Sequence, residues 1–120
     1  MDMIMKLPQE IEVWYIIPAI RRELAMGLVK RGLRQREVAR MLGVTDAAVS
    51  HYFSSKRGNE VRFNSRINSE IRSSVGKIVG GSPVMGEIQR LCRLCKNDGI
   101  CCHIHKHHGA PRECSACFHE

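Results

Sequence analysis

Gln35–Phe53 reads QREVARMLGVTDAAVSHYF, and the fold of the chain turns on how this stretch is read. Val38, Ala39 and Leu42 stand at the three- and four-residue intervals that gather side chains on one face of a helix, so a short helix is expected over 35–42. Gly43 follows where a helix ends on a left-handed residue, a conformation glycine adopts without a Cβ clash. Thr45 is a natural N-cap, because its hydroxyl can accept a backbone N–H from the next turn. Asp46 sits in that turn, where the helix dipole favours an acid. A second helix is therefore expected from Asp46 to about Phe53. Two short helices joined this tightly must cross steeply. Ala39 then has to be small so that the second helix can lie across it. Val44 fills the angle, and Val49 and Tyr52 face Val38 and Leu42.

Together these requirements describe a helix-turn-helix, a unit whose second helix enters the major groove of DNA. A generic hairpin of two amphipathic helices would not need Ala39, Gly43 and Thr45 at once. Outward from the motif, Ile20, Leu24 and Leu28 recur every four residues. They predict a preceding helix that starts near Pro18, a residue suited to a first turn because its missing N–H would be unpaired there. Gly32 closes it. Ile11–Ile17 is ambiguous between helix and strand. Beyond the motif, Ile67, Ile71, Val75 and Ile78 predict a helix over 65–79. Val84, Ile88 and Leu91, with Glu87 and Arg90 between them, predict an amphipathic one over 84–94. That last helix could pack within the chain or form a dimer seam.

Charge supports a polyanionic partner. The 120-residue chain carries a net charge of +7, and between Arg21 and Arg62 ten basic residues face four acidic ones. Aromatics are only 5% of the chain, too few for stacking platforms that bind single strands. The longest apolar run, Val13–Ile20, is interrupted by Pro18 and far shorter than the roughly 20 residues of a membrane span. Asp2, Glu10 and Glu12 also spoil a secretory signal. A cytoplasmic setting is expected, with no membrane partner. In the second helix of the motif, Asp46, Ala47, Ser50 and His51 stand near the end that meets base edges. Gln35 and Thr45 lie where helix N-termini meet phosphate, and Ser54, Ser55, Lys56 and Arg57 should track the backbone. Singly, each of these is also what a solvated surface position looks like.

The stretch from Trp14 to Gly58, WYIIPAIRRELAMGLVKRGLRQREVARMLGVTDAAVSHYFSSKRG, resembles the lambda-repressor/XRE-like helix-turn-helix proteins. It is most similar to a group of small archaeal transcriptional regulators. These also place a tryptophan and an IPAIRR-like segment ahead of the motif and a cysteine-rich tail after it. The resemblance implies a five-helix domain that binds a near-palindromic double-stranded operator as a homodimer. The expected architecture is all-α, with a lambda-repressor-like domain over 1–80 and a Cys/His-rich, metal-stabilised module over 81–120.

All six cysteines fall between Cys92 and Cys117, and five of the six histidines between His103 and His119. Cys92–Cys95 and Cys114–Cys117 form two C-x-x-C pairs with eighteen residues between them. Two such pairs supply the tetrahedral thiolate set that zinc prefers, at a zinc-ribbon interval. Buried thiols or disulfides would account less well for this regularity in a reducing compartment. An iron–sulfur cluster also takes four cysteines, so zinc and an Fe–S cluster both stay open. Cys101 and Cys102 are surplus. In the resembling regulators the fifth cysteine is followed by x-Ile-His, which corresponds here to Cys102, Ile104 and His105, and this puts Cys102 ahead as an additional ligand. The 29 residues from Cys92 to Glu120 contain few large apolar side chains, so metal ligation would supply their folding energy.

The expected function is therefore sequence-specific DNA binding by a transcriptional regulator. Its metal module would be structural or would sense redox or metal state. The alternative is a protein-interaction adaptor resembling the multiprotein bridging factors, with a purely structural zinc. In those the zinc segment precedes the helical domain, the reverse of the order here. An enzyme is not expected, because two C-x-x-C pairs leave a zinc no open position and no acid–base constellation accompanies the histidines. No small-molecule substrate is suggested.

Overall fold

A computed structural model describes residues 7–54 and 61–100. Its elements are α1 (Pro8–Ile11), a π-helical stretch (Glu12–Ile16), α2 (Ile17–Lys30), α3 (Gln35–Leu42), α4 (Asp46–Ser54), α5 (Ser65–Val79) and α6 (Val84–Asn97). Among the described residues there is no strand, in keeping with the all-α expectation.

The N-terminal helix departs from the sequence reading. It does not begin near Pro18; the chain is already helical from Pro8, and the ambiguous Ile11–Ile17 is helical throughout. Two physical causes meet at the π-helical stretch. Pro18 has no N–H to give to the carbonyl of Trp14, and its ring would crowd that oxygen in a regular α-helix. The backbone instead widens, and the Ile17 N–H bonds to Glu12 O, five residues back. The buried stripe runs Ile11, Ile16, Ile20, Leu24 and Leu28, spaced five residues once and four thereafter. A π turn takes up about one residue more than an α turn, so the wide turn falls where the long interval needs it. That keeps both isoleucines facing inward.

Helix α2 is the spine. It packs on α3, α4, α5, α6 and the π-helical stretch, and Leu24, Ala25 and Leu28 are fully buried in a core shared with Val38, Val49, Ile67 and Leu91. The approach to α5 is close: a Cβ at Gly27 would lie 2.7 Å from Val75 Cγ2. Helix α5 has the predicted bounds and buries Ile67, Ile71, Val75 and Ile78. Its first turn is capped by Asn64, whose Oδ1 accepts from the Ile67 N–H at 2.8 Å.

Helix α6 runs three residues past the predicted Leu94, and Leu91 and Cys95 lie in the same core as the N-terminal helices. A polar clamp holds it to α5. Arg90 Nη1 donates to Glu70 Oε1 at 2.7 Å and Arg90 Nη2 to Ser74 Oγ at 2.7 Å. Ser74, itself fully buried, donates to Glu87 Oε1 at 2.7 Å. Burial pushes the Glu87 carboxyl up, but the Ser74 hydroxyl and Arg90 together outweigh it and hold the group below the usual carboxylate range. The hydrogen bond to Glu70 leads the factors that raise the Arg90 pKa. At the far end Arg66 Nη1 meets Asp98 Oδ1 at 2.6 Å, tying the last turn of α6 to the start of α5.

Candidate nucleic-acid interface

Local chemistry builds the corner between α3 and α4 as the sequence predicts. Helix α3 opens with the Glu37 carboxylate accepting the Arg34 N–H at 3.2 Å. It closes on Gly43, which is left-handed at φ 70°. Thr45 Oγ1 then accepts the Ala48 N–H at 3.0 Å and caps α4. Val38, Ala39, Leu42 and Val49 are buried at the crossing, with Val44 and Tyr52 half-buried against them. A buried Val or Leu side chain contributes about 2 kcal/mol, so the corner is held by its inner face and not by its surface. That leaves the outer face of α4 available. Asp46, Ala47, Ser50, His51 and Ser54 are all exposed.

The elements around this corner carry exposed cations: Arg34, Arg36 and Arg40 of α3 and its N-cap, with Lys30, Arg31 and Arg62 on either side in the chain. Asp46 is the dissenting charge, and Arg36 Nε stands 3.9 Å from its Oδ2. Both side chains are open to water, so the pair is weak. Its effect is to place a guanidinium beside the acid that would otherwise repel phosphate. Gln35 and Ser50, predicted as a phosphate contact and a base reader, are brought together: Ser50 Oγ donates to Gln35 Oε1 at 3.0 Å. No periodicity signals this link, because it spans two elements. Ser54 Oγ turns back onto His51 O at 3.4 Å. Lys56 and Arg57 lie outside the described residues.

Cys92 and Cys95 stand three residues apart on α6, on one side of the helix. Cys95 is fully buried and Cys92 half-buried, and burial pushes the Cys92 thiol up to about 11. Among the described residues no third Cys, His, Asp or Glu joins them. A four-thiolate set needs two more sulfurs; Cys102, Cys114 and Cys117 lie outside the described residues. No helix among the described residues is long and apolar enough to cross a membrane.

Residues 24–58 match the family model for the helix-turn-helix, a span from the middle of α2 through α4. No curated protein and no solved structure matches the chain. The matched segment contains the corner whose geometry is given above, with Val38, Ala39, Leu42 and Val49 inward and the polar residues of α4 exposed.

Proposed function

We propose that the chain is a sequence-specific DNA-binding transcriptional regulator. The observation that carries this reading is the division of α4: Val49 is buried, whereas Asp46, Ala47, Ser50 and His51 stand in solvent. Arg36 stands beside it at Asp46, and the family match covers these residues. Laid in a major groove, α4 presents these four side chains to base edges. The N-terminus of α3 with Gln35, the hydroxyl of Thr45 and the exposed arginines and lysines engage phosphates on either side. Binding as a homodimer would place two copies of α4 about one helical turn apart on a near-palindrome.

The second part of the proposal concerns the cysteines. Cys92 and Cys95 supply two sulfurs, and Cys114 and Cys117, with Cys102 in reserve, complete a set for zinc. An iron–sulfur cluster is the competing occupant. The regular C-x-x-C spacing supports this. A bound ion would tie the end of α6 to the segment that follows, as a structural brace or as a sensor of metal or redox state.

Selection of binding sites from a randomised duplex library with the full chain tests the central claim. An enriched half-site motif is expected, altered by substitution of Ser50 or His51. For about six phosphate contacts, affinity should fall on the order of a thousandfold between 50 and 200 mM salt. No enriched motif, or affinity indifferent to salt, would overturn the reading.

A further inference from the structure

The Gln35–Ser50 hydrogen bond fixes which way two polar groups face, and this bears on the sequence that is read. A serine hydroxyl has one proton to donate and two lone pairs to accept with. Ser50 Oγ gives its proton to Gln35 Oε1 at 3.0 Å, which leaves only acceptor capacity toward the open side of α4. Gln35 is sorted in the opposite sense. Its amide oxygen is engaged by Ser50, which leaves its NH2 group as the donor end at the first residue of α3, the turn whose backbone N–H groups lack intrahelical partners. Reversing the amide would aim a carbonyl oxygen at any phosphate docking on that helix end. An anion there therefore reinforces the orientation seen.

We propose that Ser50 is a specificity-determining residue that reads as an acceptor only, so that the base it faces carries a major-groove amino group, adenine or cytosine. Guanine presents O6 and N7, and thymine O4 and a methyl group, none of which can donate to Ser50. Gln35 is the positioning residue that imposes this polarity while donating to phosphate. Asp46, one turn earlier on the same face, is an acceptor as well, so the two residues favour amino-bearing bases in succession. The inference rests on the DNA-binding reading.

Library selection on the full chain tests it, using wild type, Ser50→Ala, Gln35→Ala and Gln35→Glu. All three substitutions are at exposed positions, and their folding is checked by thermal melts. Wild type should prefer adenine or cytosine on the strand that Ser50 faces, at one position, by about fivefold, the worth of one hydrogen bond. Ser50→Ala should erase that preference at that position alone. Gln35→Ala frees the hydroxyl proton and should flatten the same position to all four bases. Gln35→Glu keeps the acceptor for Ser50 but loses the outward N–H groups, so it should keep the preference and bind more weakly. Every base pair holds one amino-bearing base, so the strand is assigned with analogue duplexes: replacing the adenine or cytosine of that pair by purine or 2-pyrimidinone should weaken wild type and leave Ser50→Ala unmoved. Wild-type binding unchanged by the analogue would overturn the inference, as would an unchanged preference in Gln35→Ala. In either case the DNA-binding reading would survive. If no protein enriches any motif, the DNA-binding reading and this inference fall together.

Discussion

Gly27→Ala and Gly76→Ala are the same chemical change in the interior of two α-helices, yet the structure gives them opposite signs. In α5, a Cβ at Gly76 would meet Arg31 Nη2 at 3.5 Å, ordinary contact with the end of a flexible side chain. Alanine there recovers helix propensity and should stabilise by about 0.5–1 kcal/mol. In α2, the Cβ at Gly27 would lie 2.7 Å from Val75 Cγ2, closer than real carbons approach. Val75 is a buried, β-branched residue with little rotamer freedom, so the helices must part. Overpacking of this kind costs about 1–3 kcal/mol, against which the propensity gain of up to about 1 kcal/mol is set. Gly27→Ala should thus fall about 1–3 kcal/mol below Gly76→Ala, and the order should be plain in urea melts of the full chain. Pairing Gly27→Ala with Val75→Ala should return part of the loss beyond additivity, since the two side chains contend for one space. If Gly27→Ala proved as stable as Gly76→Ala, the close packing of α2 on α5 would be wrong.

Three further outcomes are expected. Thr45→Ala should lose about 1 kcal/mol by removing the cap on Ala48 and should weaken DNA binding through fraying of the first turn of α4, whereas Thr45→Ser should retain both; equal losses for the two variants would show that the hydroxyl is not the cause. Ser74→Ala should cost about 2 kcal/mol at neutral pH. Because Glu87 ionises more readily when folded, its contribution is present above the ordinary carboxylate range and is lost as the pH falls through its lowered folded value. The gap between variant and wild type should therefore narrow in acid melts, and a pH-independent gap would rule out Glu87 as the partner that matters. Replacing both Cys114 and Cys117 with serine should abolish metal found by elemental analysis, and the absorption spectrum of anaerobically purified wild type should be colourless with zinc and coloured with an iron–sulfur cluster; metal retained in the double variant would remove those residues from the ligand set.

The helix-turn-helix is legible because its determinants are local: Ala39, Gly43, Thr45 and Val49 each act within a few residues of their own position. Helix α5 is legible for the same reason, since its four buried apolar residues keep the four- and three-residue intervals of a helix face. The start of the N-terminal helix is not, because the step from Ile11 to Ile16 breaks the helical period and Pro18 imitates a beginning. The end of α6 is obscured by Cys95, which reads as a metal ligand by spacing and is a buried helix position by packing. The same residue type serves both chemistries. The Gln35–Ser50 link and the clamp of Glu70, Ser74, Glu87 and Arg90 join residues on different helices, and only the assembled fold brings them within reach. The exposed face of α4 is visible in both views, but only the structure shows that Ser50 on that face is restrained by Gln35 of α3.

The wide turn at Glu12–Ile16 has a consequence for how related chains should be aligned. A chain lacking one residue in this segment would regain an unbroken α-ladder, with Ile11 now four residues from Ile16 and still on the buried stripe. The ring at position 18 would then strike the carbonyl one turn back. Such a deletion is tolerable only if the proline changes with it. Gap placement and the identity at position 18 should therefore vary as one inherited unit.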